Sequence, residues 1–462
     1  MVEGAGGRGG LSGGGNLAKV GGMTSTAAVA EESPAPEAPA PLPGAERLRI
    51  LLFGGGLMLL INFAGPMNGL ITIPVTFFLK NRMHMSAGGV ALFNLWVGAP
   101  LFVSFIFGMA RDRWSPLGAG DRGHVVAFGL ATLAIYAGLA FVSPTYAALL
   151  AGLILATIAY QMVASAANGL VAAIGQSQAM AGQMSTLLSI AASVPALAAF
   201  LAGGVLSGLL EGRDAVTAAR ILFLCAAGLM AGVAVFGALG PAVLFARAPE
   251  ARTPTTLGAD VGRLMRHWPV YPVMVIQLLW QFGPASGIVL QFHMTNALHA
   301  SDAQWGAWNA IFVGSFLPMF VAYAFLCQKV RLSRLLWWGF ALAVVQMAPL
   351  LFVKTAIGAL IAAVPMGLIG GVAQAALVDL TIRACPRGLQ GTMMMLIVSI
   401  YWVATKFGDL FGTWIYDHHG GFAGAVWATI GVYALILPVL LTLPRGLIDT
   451  TDGQAAGAVA QA

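Results

Sequence analysis

Long apolar stretches follow one another along most of the chain, separated by short polar segments. Most are long enough for a helix that crosses a bilayer, which needs about 20 apolar residues. Backbone groups in lipid must be satisfied within helices or closed barrels, and the alternating ten-residue segments of barrels do not occur. The pattern predicts twelve transmembrane helices, numbered span one to span twelve, with approximate limits 50–79, 86–110, 125–143, 146–173, 186–209, 221–245, 270–297, 305–327, 335–353, 356–382, 391–415 and 423–443.

The composition excludes most soluble classes. Of 462 residues, 59% are hydrophobic and 9% are charged, whereas soluble domains have about 25% charged residues. The three cysteines, Cys225, Cys327 and Cys385, are well separated and predict neither a disulfide framework nor a zinc site. Because nucleotide-binding and hydrolase motifs do not occur, we expect no cofactor, no metal and no enzymatic activity.

Two polar segments divide the chain into domains. The first 45 residues are rich in Gly, Ala and Pro, which predicts a disordered cytoplasmic N-terminal tail. The longest polar segment after this tail has six predicted spans before it and six after it. The expected domains are a tail at 1–45, an N-terminal six-helix bundle at 46–245, a cytoplasmic linker at 246–269, a C-terminal six-helix bundle at 270–445 and a cytoplasmic tail at 446–462.

Basic residues are distributed unevenly between the two predicted sides. If the N-terminus is cytoplasmic, most of the 23 Lys and Arg residues lie on the cytoplasmic side, as the positive-inside rule requires. Both termini are therefore expected in the cytoplasm. The excess of Arg over Lys, with abundant Ala and Gly, favours a bacterial inner membrane. This distribution also explains the net charge of +6 without nucleic-acid binding.

The halves are similar in plan and in one short sequence. The segment "GQMSTLLSI" at 182–190 is similar to "GTMMMLIVSI" at 391–400, and each opens the fifth span of its half. Internal repeats around a central site are typical of secondary transporters.

The loop after span two carries the most specific motif, "GMARDRWSPLGAGDRG". Gly108, Asp112, Arg113 and Arg122 in this motif resemble the cytoplasmic loop signature of the major facilitator superfamily. Its longer form, with "FFLKNRMHMSAGGVALF" and "ACPRGLQGTMMMLIVSI", is similar to a branch that holds folate–biopterin transporters, muropeptide permeases and light-harvesting assembly proteins. The second-half copy is reduced to "CQKVRLSR".

This resemblance implies an all-α membrane protein with twelve helices in two six-helix bundles. It also implies that the four motif residues form a gating loop that holds one arrangement of the bundles. The alternative is a simple positive anchor, but Asp112 would add nothing to anchoring.

Span eleven places ionisable residues inside the membrane, where they are costly and usually functional. Trp402, Lys406 and Asp409 share one helix face. We expect Lys406 to bind an anionic substrate or Asp409 to titrate as a coupling site. A structural ion pair between helices is the alternative. Asp379 and Arg383, near the end of span ten, are interpreted as a helix-end pair.

Neutral amides provide further candidates for substrate contact. The resemblance implies that spans one, four, seven and ten line the cavity, and helix–helix hydrogen bonding is the alternative. The candidates are Asn62, Asn68, Gln161, Asn168, Gln277, Gln281, Asn309 and Gln374.

Together these features predict a secondary active transporter that works by alternating access on a small organic solute. The expected partners are that solute, protons and the lipid bilayer, and a monomer is expected. The branch resemblance suggests folate- or pterin-like compounds or muropeptides. The alternative is a non-transporting membrane assembly factor of the light-harvesting-assembly type, which would tolerate Leu at positions 406 and 409.

Overall fold

The computed structural model describes residues 43–241, 244–245 and 257–453. Most of the predicted N-terminal tail, much of the predicted linker and the last nine residues therefore lie outside the described residues. The first helix begins at Gly44, after the extended Pro43.

The first half contains six spans. Span one consists of helices Gly44–Phe63 and Gly69–Asn81, span two of Ala87–Phe102 and Ser104–Arg113, span three of Gly120–Phe141, span four of Tyr146–Ser177, span five of Ala181–Glu211 and span six of Ala215–Leu239. A 3-10 turn at Pro116–Gly118 leads into span three.

The second half repeats this plan after a short helix, Leu257–Arg266. Span seven consists of Val270–Gln281, Gly287–Phe292 and a π turn at His293–Ala297, span eight of Asp302–Lys329, span nine of Leu332–Val344 and the 3-10 turn Ala348–Leu351, span ten of Ala356–Ala384, span eleven of Gln390–His418 and span twelve of Gly421–Ala434 and Ile436–Leu440. A last short helix is Arg445–Ile448.

Among the described residues, ten spans are helical stretches long and apolar enough to cross a membrane. Spans one and seven, the first of each half, are each divided into shorter helices. The predicted all-α, twelve-span membrane architecture is confirmed for the described residues.

Successive spans run in opposite directions and define two ends of the molecule. We call the end with the loop after span two, the loop after span ten and the described C-terminal residues the basic end. It carries most of the Arg and Lys residues of the described loops, including Arg113, Arg122, Lys329 and Arg387.

The two halves pack most tightly near the basic end. Every residue at 180–189 in span five and at 390–395 in span eleven is buried, so helices surround both segments. Farther along the same spans, Leu209 is 68% exposed and Leu410 is 67% exposed. The continuous burial of spans five and eleven is therefore confined to the basic end, where the two halves meet.

Candidate functional site

Spans five and eleven begin at the basic end without a capping side chain of their own. Span five follows Met180 and span eleven follows Leu389, and neither side chain accepts a backbone hydrogen bond. A buried helix start without partners is costly, so both need acceptors from elsewhere. Five spans that begin at the opposite end have local caps, which are Ser86, Thr145, Asp214, Ser301 and Thr355.

Asp112, near the end of span two, supplies the acceptors for span eleven. Its carboxylate accepts from the backbone N–H of Gly391 at 3.0 Å and of Thr392 at 2.6 Å, and from the Thr392 hydroxyl at 2.7 Å. Gly108 permits this approach, because a Cβ there would overlap the Gly391 carbonyl. We call Asp112 with Gly391 and Thr392 the first clasp, in which the first half caps a helix of the second.

A buried arginine balances the charge of the first clasp. Nη1 of Arg111 lies 2.7 Å from Oδ1 of Asp112, and its Nε and Nη2 donate to Asp121 at 2.7 and 2.6 Å. All three side chains are buried. Arg111 also packs on Gly169 of span four, where a Cβ would come within 2.7 Å of the guanidinium carbon. With these contacts, all three buried charges are paired. Removal of any one of the three side chains would leave an unpaired buried charge, which is strongly destabilising.

The other two basic residues of the predicted gating loop contact neighbouring segments. Arg113 lies 3.6 Å from Asp260, in the helix before span seven. Arg122 donates to the carbonyl oxygen of Gly240, and its guanidinium carbon lies 5.1 Å from the ring centre of Phe245. The Arg113 contact is more exposed than the first clasp and the Arg122 contacts lie within the first half, so these contacts contribute less to holding the halves together.

The pair predicted at the end of span ten belongs to a larger buried cluster. Nε of Arg383 donates to Asp379 at 2.7 Å, and the hydroxyl of Tyr323 in span eight donates to the same carboxylate at 2.8 Å. Arg383 also donates to the Thr450 hydroxyl at 2.8 Å and lies 3.6 Å from Asp452. The pair therefore fastens the C-terminal residues to span ten.

Asp452 supplies the acceptors for span five. Its two carboxylate oxygens accept from the backbone N–H groups of Gly182 and Gln183, both at 3.0 Å. Burial, and then repulsion from the Asp379 carboxylate, raises the pKa of Asp452, while the two N–H groups and Arg383 act in the opposite direction. We call Asp452 with Gly182 and Gln183 the second clasp, in which the second half caps a helix of the first.

The sequence analysis assigned no role to Arg111, Asp121 or Asp452. A signal was present, because Met180 and Leu389 precede helices and cannot cap them. Two buried helix starts without local caps indicate acceptors from another part of the fold. Which carboxylates would reach them could not be read from spacing along the chain.

The breaks in spans one and seven form a second repeated feature, and the sequence analysis did not recognise their similarity. The segment "NFAGPMNG" at 62–69 is similar to "QFGPASG" at 281–287, and both contain Phe, Gly-Pro and a final Gly. The structure ends one helix and begins the next inside each segment. Proline frees carbonyl groups of the preceding turn, so each break leaves polar backbone groups to be satisfied.

Equivalent glycines approach the two breaks. A Cβ at Gly203 in span five would overlap the Gly69 carbonyl, and a Cβ at Gly412 in span eleven would overlap the Pro284 carbonyl. Counted from the clasp glycines Gly182 and Gly391, the two positions are equivalent, because each lies 21 residues farther along its span. Each half therefore packs its fifth span directly on the broken backbone of its first.

Side chains of neighbouring spans form hydrogen bonds with backbone groups at both breaks. The hydroxyl of Tyr136 in span three donates to the Ala64 carbonyl at 3.1 Å. In span seven, the backbone N–H of Ala285 donates to the hydroxyl of Thr429 at 2.9 Å. These bonds hold the two breaks in fixed geometry.

Asp409 of span eleven also contacts the break of span seven. Its Oδ1 accepts from the backbone N–H of Ile288 at 3.4 Å, and a Cβ at Gly287 would overlap this oxygen. Nζ of Lys406 lies 3.6 Å from Oδ2 of Asp409. The Lys406 side chain is 50% exposed and that of Asp409 is 10% exposed. Asp409 thus has a structural contact, whereas Lys406 remains accessible.

Trp402 faces span two. Its ring centre lies 6.4 Å from that of Phe102, and the hydroxyl of Ser399 accepts from the backbone N–H of Phe105 at 3.2 Å. The polar face predicted on span eleven therefore contacts span two at Trp402 and span seven at Asp409.

The candidate amides are dispersed over several spans. Four donate to carbonyl oxygens of their own span, namely Asn62, Asn68, Asn168 and Asn309. Gln161 donates to the hydroxyl of Ser104 in span two, and Gln374 accepts from Trp280 at 2.6 Å. Gln277 is buried and Gln281 is half-buried.

The chain matches known proteins by its structure. No protein-family model and no curated protein matches the sequence. The structure is similar to that of FucP, a major facilitator superfamily transporter, in the outward conformation. The TM-score is 0.64 at 13% identity, over 85% of this chain and 98% of that one. The chain has the major facilitator fold.

Two further structures with this fold are similar to the chain. The proton:xylose symporter XylE has a TM-score of 0.62 at 12% identity, over 89% of this chain and 98% of XylE. A bacterial homologue of the iron transporter ferroportin in its outward-facing state has a TM-score of 0.60 at 14% identity, over 86% of this chain and 98% of that one. The major facilitator fold predicted from the loop motif is confirmed, and the finer branch stays a prediction.

Proposed function

We propose that the chain is a secondary transporter that moves a small organic solute across the membrane by alternating access. The observation that carries this proposal is the reciprocal pair of clasps. Asp112 of the first half caps span eleven, and Asp452 of the second half caps span five. The two helix starts have these acceptors only while the basic end is closed, so the two clasps favour one of two arrangements of the halves.

The proposal includes an orientation. The positive-inside rule assigns the basic end to the cytoplasm of a bacterial inner membrane. A molecule closed at that end is then in an outward-facing arrangement, the state of the similar structures of FucP and the ferroportin homologue. We propose a proton gradient as the driving force, since XylE, which has the same fold, is a proton symporter. A monomer is sufficient for this mechanism.

The proposed solute site lies between the breaks of spans one and seven. Oδ1 of Asn68, in the break of span one, is buried and has no hydrogen-bond partner among the described residues. It would accept a bond from a solute once movement of the halves exposes this break. Lys406, beside the break of span seven, offers an accessible cation for an anionic group. Folate- and pterin-like compounds and muropeptide fragments carry such groups and are the first candidates.

The test is uptake into proteoliposomes under an imposed proton gradient. We expect accumulation of a candidate solute that a protonophore abolishes. Lys406→Ala should reduce uptake about tenfold or more, the effect of losing one charge-assisted contact. Lys354→Ala removes an exposed lysine from the loop before span ten and is the matched control. Unchanged uptake by well-expressed Lys406→Ala protein would contradict the proposed role of Lys406.

The assembly-factor alternative is not favoured by the similar structures, whose names describe transporters. Leucine at position 406 remains a fair discriminating test, because Lys406 is half-exposed. Leucine at position 409 does not discriminate, because Asp409 binds the Ile288 backbone and its loss would disturb this chain whether or not it moves a solute.

A further inference from the structure

The residues after span twelve fold back onto the second half. The carbonyl of Thr450 accepts from the backbone N–H of Leu332 at 3.3 Å, and the side chain of Asp449 accepts from the Ser333 hydroxyl at 2.8 Å. Arg383 donates to both the carbonyl and the hydroxyl of Thr450. We call residues 445–453 the C-terminal strap. These bonds attach it to spans nine and ten.

The end of the strap crosses to the first half. Besides the two bonds from Asp452 to span five, the backbone N–H of Gly453 donates to the Ala179 carbonyl at 2.6 Å. Ala179 has a φ of 49°, so this turn before span five is held in a conformation that alanine disfavours. The contacts with the first half are therefore made by the last described residues of the strap, whereas the rest of the strap is attached to the second half.

The sequence explains why a strap is needed here. In the first half, the last turn of span two, next to the loop that follows it, provides Asp112 for the first clasp. The corresponding loop of the second half reads "CQKVRLSR" at 327–334 and contains no acidic residue. Asp452 comes from a distant part of the chain, yet it binds span five with the same pair of backbone contacts.

We propose that the C-terminal strap is a releasable lock. It holds the basic end closed through Asp452, and it must release span five before that end can open. This proposal rests on the alternating access of the proposed function. Because the strap can stay attached to spans nine and ten, its own part in this opening is limited to the second clasp and the Gly453 contact. A chain with a weakened crossing should therefore open the basic end more often.

Cys327 provides a direct reporter of this opening. It is 1% exposed, and Asp452 covers it, with Oδ2 3.6 Å from its sulfur. Gly182 of span five packs on it so closely that a Cβ there would lie 2.6 Å from the Cys327 Cβ. In a Cys225→Ser, Cys385→Ser background, Cys327 is the remaining thiol. The experiment measures its rate of reaction with a polar maleimide in purified, detergent-solubilised full-length protein, where both ends are accessible.

We expect Asp452→Asn to speed labelling about tenfold or more, because a charge-assisted contact to a buried helix start is lost. Asp449→Asn, at an exposed position of the same strap whose side chain binds Ser333 of span nine, is the matched control and should label at the parental rate. If Asp452→Asn does not fold, Gly453→Pro tests the same crossing. Gly453 is exposed, has a φ of 88° and donates to Ala179, and proline permits neither feature.

Parental labelling rates in Asp452→Asn or Gly453→Pro would overturn the strap proposal. Equal acceleration in Asp449→Asn would do so as well, since it would show general loosening. Labelling requires no transport, so its result is independent of the uptake test. Faster labelling in a chain that moves no solute would support the strap and contradict the proposed function.

Discussion

The two clasps perform the same physical task with different parts of the chain. In each, a buried carboxylate accepts two backbone N–H groups at the start of a helix in the other half, and a buried arginine balances its charge. Asp112 lies in the last turn of span two, next to the short loop before span three, and has little freedom to leave. Asp452 lies at the end of a strap that follows the last span.

This difference indicates that the two clasps have different strengths. Asp112 accepts three hydrogen bonds and pairs with Arg111 at 2.7 Å. Asp452 accepts two backbone bonds and lies 3.6 Å from Arg383, whose closest partner is Asp379. The first clasp should therefore hold the basic end more firmly, and the second should break first.

The largest effect is expected from Gly108→Leu. The side chain would overlap the Gly391 carbonyl, so span two could no longer approach the start of span eleven. Uptake in proteoliposomes should be abolished, since the closed arrangement is part of the cycle. Gly138→Leu is the matched control, because open space surrounds that position in span three. Transport by Gly108→Leu at the rate of Gly138→Leu would show that this contact is dispensable.

A somewhat smaller effect is expected from removal of the arginines. Arg111→Met leaves Asp112 and Asp121 buried without their cation, and loss of one partner of a buried pair costs about 3–5 kcal/mol. Arg383→Met should cost less, because Tyr323 and the helix start of span five still bind the two carboxylates. Thermal unfolding in detergent measures both variants. A larger fall in Tm for Arg383→Met would reverse the proposed ranking of the clasps.

The smallest effect is expected from the glycines at the breaks. Gly203→Ala and Gly412→Ala each force a methyl group against a carbonyl, at a cost of about 1–3 kcal/mol. Because the two sites are equivalent, their shifts in Tm should be similar. Gly204→Ala is the control, since nothing lies near a Cβ there. If only one of the two variants were destabilised, the equivalence of the two breaks would be refuted.

The sequence predicted the spans and the fold well, for a physical reason. A bilayer imposes a length and an apolar composition on each helix, and both can be read residue by residue. The loop motif then identified Gly108 and Asp112 as a place where the halves interact. These features depend on neighbours in the sequence.

The rest of the candidate site depends on tertiary contacts that no local pattern specifies. Asp452 lies in a segment predicted only as a tail, and its role appears when the chain returns to span five. Asp409 was a candidate for titration from its position in the membrane, but its contact with the Ile288 backbone became visible only in the structure. The paired breaks could have been read from their similar sequences.

The central claim is that two reciprocal clasps hold the basic end closed and that alternating access opens it. The most direct test is a distance measurement between spin labels at Ala119→Cys and Lys329→Cys. Both positions are exposed at the basic end, on different halves, and the three native cysteines would be replaced by alanine. We predict one short, narrow distance distribution for the chain with intact clasps. Asp112→Asn combined with Asp452→Asn should add a second population at longer distance. Identical distributions for the two chains would contradict the account.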